Sequence, residues 1–211
     1  MAALAVALVA ALTITHSEQL KLITVSIFGS IALGTLVWTG HAGAMDGTIG
    51  SVHKISDALH MLAAAIWLGG IAAFLKLLKV PADQRSGDQL TVAHRSLDSF
   101  SRMGTICVAV IVITGIVNSQ ILVGLANFTA LFVTTYGQLL ILKLVLVGVM
   151  LLLGAKNRWR LTPNLGLALS EGDALPAVAA LRKSLWLEAG AAFLILGLVA
   201  WLGTLGPPMS M

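Results

Sequence analysis

Six apolar runs alternate with short polar segments along the chain. Residues 2–15, 20–39, 51–79, 99–123, 134–156 and 184–205 are dominated by Ala, Val, Ile, Leu and Gly. At about 1.5 Å per residue, each of the last five is long enough as a helix to cross a hydrocarbon core of about 30 Å. The first would span only about 21 Å, and no basic segment precedes it as in a signal peptide, so it reads as a short or truncated first helix. The pattern predicts an all-α polytopic membrane helix bundle of about six transmembrane helices, with no internal repeat, in a single transmembrane domain over residues 1–211. Pro81 is expected to stop the third helix, and Pro207 and Pro208 the sixth.

Charge orients the bundle. Arg85, Arg95 and Arg102 fall in the polar segment 79–102, and Lys156, Arg158, Arg160, Arg182 and Lys183 in the segment between the fifth and sixth runs, whereas residues 124–135 carry no charge. By the positive-inside rule, the basic segments are cytoplasmic loops and both termini are periplasmic. Composition agrees: 58% of residues are hydrophobic and 10% charged, with a mean hydropathy of +0.96. A net charge of +4 in such a chain is a loop signature rather than a nucleic-acid footprint. Cys107 is the only cysteine; it rules out an intrachain disulfide and a cysteine-rich metal site, and reads as a small core residue.

The third run departs from the others by carrying His53, Asp57 and His60 in its first three turns. At about 100° per residue these three share one stripe with Ala64 and Trp67. An imidazole or carboxylate in hydrocarbon is costly, so the stripe is expected to face the protein interior or a wet vestibule. His60 would lie ~13 Å below Ser51, too deep for a surface accident. The pattern points to a metal-handling site near one membrane face, with Trp67 as the floor of a pocket. Gly69 and Gly70 would serve helix packing.

Other polar positions leave alternatives open. Lys143 lies at a similar depth in the fifth run, so Asp57 either pairs with it or serves the histidines. Asn118, in the TGIVN stretch at 114–118, would hydrogen-bond across to the third helix. Glu188 would pair with Arg102 or Arg158. His16 and His94 read as solvated loop residues on the opposite side.

Five stretches resemble the copper-resistance protein D (CopD-like) family of bacterial inner-membrane copper proteins. They are TGHAG (39–43), DALHMLAAAIWLGGI (57–71), SFSRMGTICVAVIVITGIVN (99–118), YGQLLILKLVLVGVMLLLGAKNRWRLTPNL (136–165) and, more weakly, LRKSLWLEAG (181–190). Membership implies handling of copper at the periplasmic face, with transport or delivery across the inner membrane, often beside a separate periplasmic copper-binding protein. Family members usually carry further helices ahead of the segment matching residues 1–40, so a short member or a fragment is expected.

Copper accepts imidazole and thioether ligands. The candidate ligands are His41, His53 and His60, with Met45 and Asp57 as additions. His53 and His60 lie seven residues apart, roughly 10 Å along a helix, so they fit successive stops better than one ion's shell. Asp57 suits fixing an imidazole tautomer better than ligating Cu(I). The rival readings are a haem-binding membrane cytochrome, in which His41 would reach inward as second axial ligand, and a copper-delivery factor that does not transport. No phosphate loop or phosphorylation motif occurs, so the chain is expected to be a carrier rather than an enzyme.

Overall fold

The computed structural model describes residues 7–9, 11–13, 17–38, 43, 45–78, 87–124 and 127–206. Among these, every regular element is helical. They are α1 (Glu18–Thr35, continued by a 3-10 turn over Leu36–Trp38), α2 (Gly47–Leu77), α3 (Gly87–Leu122), α4 (Ala130–Val133) and α5 (Thr135–Lys156), then a π-helical turn (Asn157–Leu161), α6 (Thr162–Glu171) and α7 (Leu175–Leu202). Five described runs are long and apolar enough to cross a membrane, counting α5 through α6 as one. They correspond to the second through sixth predicted spans; the first lies largely outside the described residues. At most 28% of any span's most apolar window is buried inside the protein, so most of that surface faces outward, where lipid is its natural solvent.

The helices overrun the apolar runs at several ends. The segment expected as a loop before residue 99 is helical from Gly87, with Leu90, Ala93 and Leu97 buried three and four residues apart. Hydropathy marks where the membrane begins, whereas helix ends follow this 3.6-residue period and continue into water. The expected loop between the fifth and sixth spans is also mostly helical, because α5 passes through the π turn into α6. Pro163 explains the irregularity: it has no N–H to return to the Trp159 carbonyl, and the turn before it widens. Gly172, at φ 82°, then ends α6 in the left-handed conformation that glycine adopts without strain.

α2 packs along α3, α5 packs along α7, and α7 closes on α2. α1, with no buried residue, lies at the edge against α2. The main core gathers Trp67, Ile71, Phe74 and Leu78 of α2 with Cys107 and Ile111 of α3, Leu165 of α6, and Leu181 and Leu185 of α7. Cys107 is a core residue, as its composition reading implied. A smaller cluster of Val123, Tyr136, Leu139, Leu140 and Leu202 closes the opposite end.

The paired glycines of α2 behave differently from each other. A Cβ on Gly70 would collide with the Phe100 ring, whereas one on Gly69 would meet nothing within 4 Å. Phe100 also stacks edge-on against Phe74, with ring centroids 5.3 Å apart. Gly70→Ala is therefore expected to destabilise the bundle by about 1–3 kcal/mol through overpacking, and Gly69→Ala to stay within about 0.5 kcal/mol. Unfolding of the two variants in detergent checks the contrast; equal losses would refute the packing role of Gly70.

Candidate functional site

The predicted stripe on α2 lines one cavity. His53, Asp57, His60, Ala64 and Trp67 all face a space of about 390 Å³, completed by Gly115 and Asn118 of α3, Tyr136 and Lys143 of α5, and the apolar face of α7 from Ala192 onward. This histidine cavity is the vestibule that the cost of burying polar groups in lipid requires.

His53 sits toward the Gly47 end of α2, 2% exposed. Its Nδ1 lies 3.3 Å from the Met45 sulfur. Local chain geometry delivers that thioether. Gly47, at φ 72°, turns the connection into α2, and Gly50 has no Cβ to obstruct the Met45 backbone, which crosses directly over it. The Lys54 ammonium then donates to the Met45 carbonyl at 3.1 Å. Met45 is thus held over the first turns of α2 rather than hanging in a loop. His41, the other candidate in this connection, lies outside the described residues, as does His16.

Two turns further in, His60 meets α3. Its Nδ1 is 2.9 Å from the Thr114 hydroxyl oxygen, and that hydroxyl lies 2.6 Å from the Val110 carbonyl, to which it donates. A hydroxyl has one proton, so while it donates to Val110, Thr114 can only accept, which fits the His60 tautomer with its proton on Nδ1 and makes Nε2 the candidate metal-facing nitrogen. The sequence reading offered Asp57 for such a role toward either imidazole; at His60 the hydroxyl in contact is that of Thr114, which shares a face of α3 with Asn118 four residues on, and that spacing within TGIVN was the available signal.

Asp57 also meets α3 and α5. Asn118 Nδ2 donates to its Oδ1 at 3.4 Å, as the sequence suggested, and the Asp57 carboxylate acts electrostatically on Lys143. Lys143 in turn acts on His60, so one ammonium faces both the carboxylate and the deeper imidazole. Ser56 adds a donation to the Thr114 carbonyl at 3.3 Å. Among the described residues, no three of His, Cys, Asp and Glu come together as a metal cluster. The cavity therefore offers two separated imidazoles, one beside a thioether and one oriented by a hydroxyl, rather than a closed chelate.

Two expectations are corrected here. His94 is not a solvated loop residue; it is half-buried on α3, and a Cβ on Gly166 of α6 would approach its Nε2 to 2.8 Å. Glu188 pairs with neither Arg102 nor Arg158. It accepts a hydrogen bond from Asn157 Nδ2, while Arg158 donates to the Ser101 carbonyl and the Thr105 hydroxyl. The widened π turn brings Asn157 and Arg158 to this end of the bundle, and nothing in hydropathy foretells that.

The crossing at Gly50 yields a prediction. Gly50→Ala pushes the Met45 backbone off α2 and separates the thioether from His53. Peroxide oxidation of Met45, followed by mass spectrometry, is then expected to accelerate several-fold. An unchanged rate would mean that Met45 is not held in place by this contact.

Comparison with known proteins fits this architecture. The family model described as copper resistance protein D matches residues 94–202, which include the α3, α5 and α7 walls of the histidine cavity. Copper resistance protein D of Pseudomonas syringae pv. tomato is 39% identical over 203 residues, a match covering 95% of this chain and 65% of that protein. The inner membrane protein YebZ of Escherichia coli K12 is 29% identical over 167 residues, covering 79% of this chain and 54% of its own. The copper transport protein CutJ of Bacillus subtilis 168 is 37% identical over 118 residues, covering 56% of this chain and 20% of its own. The chain thus spans less than two thirds of the length of each of these relatives. No solved structure matches it significantly. With half of its length in the family match and five membrane-crossing helices, this multi-pass inner-membrane protein belongs to the copper resistance protein D family.

Proposed function

We propose that this chain takes copper at the periplasmic face through Met45 and His53, passes it to His60, and from there transports or delivers it across the inner membrane. The observation that carries this reading is the 3.3 Å contact between His53 Nδ1 and the Met45 sulfur, at one end of the cavity that also holds His60. Imidazole beside thioether is a donor pair suited to Cu(I). Relatives named for copper resistance and copper transport support the choice of metal.

The roles divide by position. Met45 and His53 form the entry station, with His41 as a further ligand from the same connection. His60 offers Nε2 as the next station, and Thr114 holds the ring to that orientation. Asp57 tempers the Lys143 charge that would otherwise repel a cation arriving at His60, so it acts by charge rather than by ligation. Copper is cargo in this scheme, and the chain is a carrier without a catalysed reaction. A separate periplasmic copper-binding protein would supply the ion to the Met45 end. A haem site fits less well, because its second axial histidine would be His41, from the connection ahead of α2 rather than from a facing helix.

Two substitutions test the stations. His60→Ala is expected to abolish passage of copper into proteoliposomes while leaving a sulfur–nitrogen copper signal in X-ray absorption, and Met45→Leu is expected to remove the sulfur from that signal. Uptake by the wild-type protein separates transport from delivery, and a copper signal without sulfur in the wild type would overturn the entry station. Thr114→Val, isosteric but unable to accept from His60, is expected to weaken copper affinity at the inner station by roughly 10–100-fold with folding preserved. Isothermal titration against the wild type checks this; unaltered affinity would remove Thr114 from the site.

A further inference from the structure

A second cavity lies beyond the first and shares a wall with it. This space of about 360 Å³ is lined by Trp67 and Phe74 of α2, Thr105 of α3, Asn157 and Arg158 of the π turn, and Glu188 of α7. Trp67 lines both cavities. On α7, Glu188 faces the second cavity and Ala192 the first, a separation of one turn, or about 6 Å. On α5, Met150 faces the first cavity and Leu151 the second. The two spaces are thus divided by a thin septum centred on the Trp67 indole.

Glu188 is 2% exposed. Among the described residues, no cation lies within ion-pair distance of it. Its neighbour Asn157 donates one N–H to Oε1, yet the Asn157 amide oxygen is buried with no hydrogen-bond partner. The Ser184 hydroxyl, one turn before Glu188 on α7, is buried and unpartnered too. A proton on the Glu188 carboxyl supplies a donor beside that orphaned amide oxygen, which a carboxylate cannot do. No His, Cys or Met lines this cavity, so it lacks the soft donors that Cu(I) prefers, and the Arg158 guanidinium disfavours a hard cation. Ionisable groups that face cavities within membrane spans mark ion pathways and proton relays.

We propose that Glu188 is a proton-exchange site, separated by Trp67 from the metal path and coupled to the passage of copper along it. This rests on the transport reading given above. A cation reaching the Trp67 septum stabilises the carboxylate across a low-dielectric partition. The O–H bond of Glu188 breaks, its electron pair stays on oxygen, and the proton leaves to water at the basic-loop end of the bundle. When the cation has moved on, the carboxylate takes a proton back from that water. Charge is exchanged one for one, and no electron is transferred. The titratable groups that bear on Glu188 are Arg158 in its own cavity and, across Trp67, His53, Asp57, His60, Tyr136 and Lys143.

The test uses the purified full chain in proteoliposomes with a pH-sensitive dye inside, challenged with Cu(I) alone, alongside infrared difference spectra recorded on adding Cu(I). In the wild type, copper movement is expected to release protons at the basic-loop face, which are taken back once copper has passed, and a protonated-carboxyl C=O band is expected to fall as copper binds. Glu188→Gln is expected to lose both the proton movement and the band while retaining the copper signal of the Met45–His53 station. Glu188→Asp, which keeps a carboxyl, is expected to restore proton movement with a shifted band; a purely structural role would not separate these two variants. Copper uptake without proton movement, or proton movement that survives Glu188→Gln, overturns the proposal and leaves the transport reading standing. If the wild type moves no copper, the transport reading falls and the infrared band decides for Glu188 by itself: a copper-responsive band lost in Glu188→Gln upholds proton exchange, and its absence overturns it.

Discussion

Hydrocarbon cannot solvate an imidazole, a carboxylate or an ammonium, so each such group on a span must turn toward protein. In this chain that constraint fixes how α2 is rotated. His53, Asp57 and His60 share one stripe, and turning it inward brings Ser56, Asp57 and His60 onto one face of α3. There they meet the Thr114 carbonyl, the Asn118 amide and the Thr114 hydroxyl respectively. Interhelical hydrogen bonds of this kind contribute roughly 0.6–2 kcal/mol each in membranes. Their larger effect is on register, since sliding α2 by one residue would break all three and point the imidazoles at lipid. The longest helix–helix contact in the bundle is therefore set by the same side chains that furnish the candidate metal site.

Functional geometry follows from that lock. With α2 fixed, Gly50 comes to lie under the Met45 backbone and His53 under the Met45 sulfur, so the connection ahead of α2 is drawn into the site by missing bulk and one lysine contact. Lys143 reaches the same space from α5, where an unbalanced ammonium would oppose any cation. Asp57 lies opposite it, and Asn118 holds the carboxylate in place. Candidate metal donors, a repelling charge and its counter-charge thus occupy one cavity without any of them facing lipid.

The sequence makes some of this legible and hides the rest for definite reasons. Apolar run length reports membrane thickness directly, so the spans from residue 20 onward correspond to helices. Helix ends are poorly marked, because α3 carries its period past the membrane on Leu90, Ala93 and Leu97, among polar residues that resemble a loop. The stripe on α2 is legible because helical periodicity alone places 53, 57, 60, 64 and 67 together. Partners across helices are only partly so: the TGIVN spacing puts Thr114 and Asn118 on one face of α3, but does not pair Thr114 with His60. Thr114 became identifiable only once Asn118 had fixed that face. Glu188 was misassigned because charge complementarity suggested an arginine, whereas the π turn, itself a consequence of Pro163, sends Arg158 to Ser101 and Thr105 and leaves the amide of Asn157 at the carboxyl.

The spacing along α2 ties the two cavities together. His53, His60, Trp67 and Phe74 follow one another at intervals of seven residues, roughly 10 Å of helix each, and the first three line one cavity while the last two line the other. The stripe changes from imidazole to indole to phenyl as it descends, so its donor chemistry ends where Trp67 begins. A continuous polar channel at this point would join water on both sides and dissipate the proton gradient of the membrane it crosses. An indole in the septum keeps the spaces apart while remaining a side chain that can turn. Gly154 of α5 lies alongside, where a Cβ would stand in ordinary contact, 3.6 Å from the indole ring. The proposed path, with a soft cation on one side and a proton on the other, would need a barrier between unlike chemistries, and the seven-residue period of α2 puts its largest aromatic residue there.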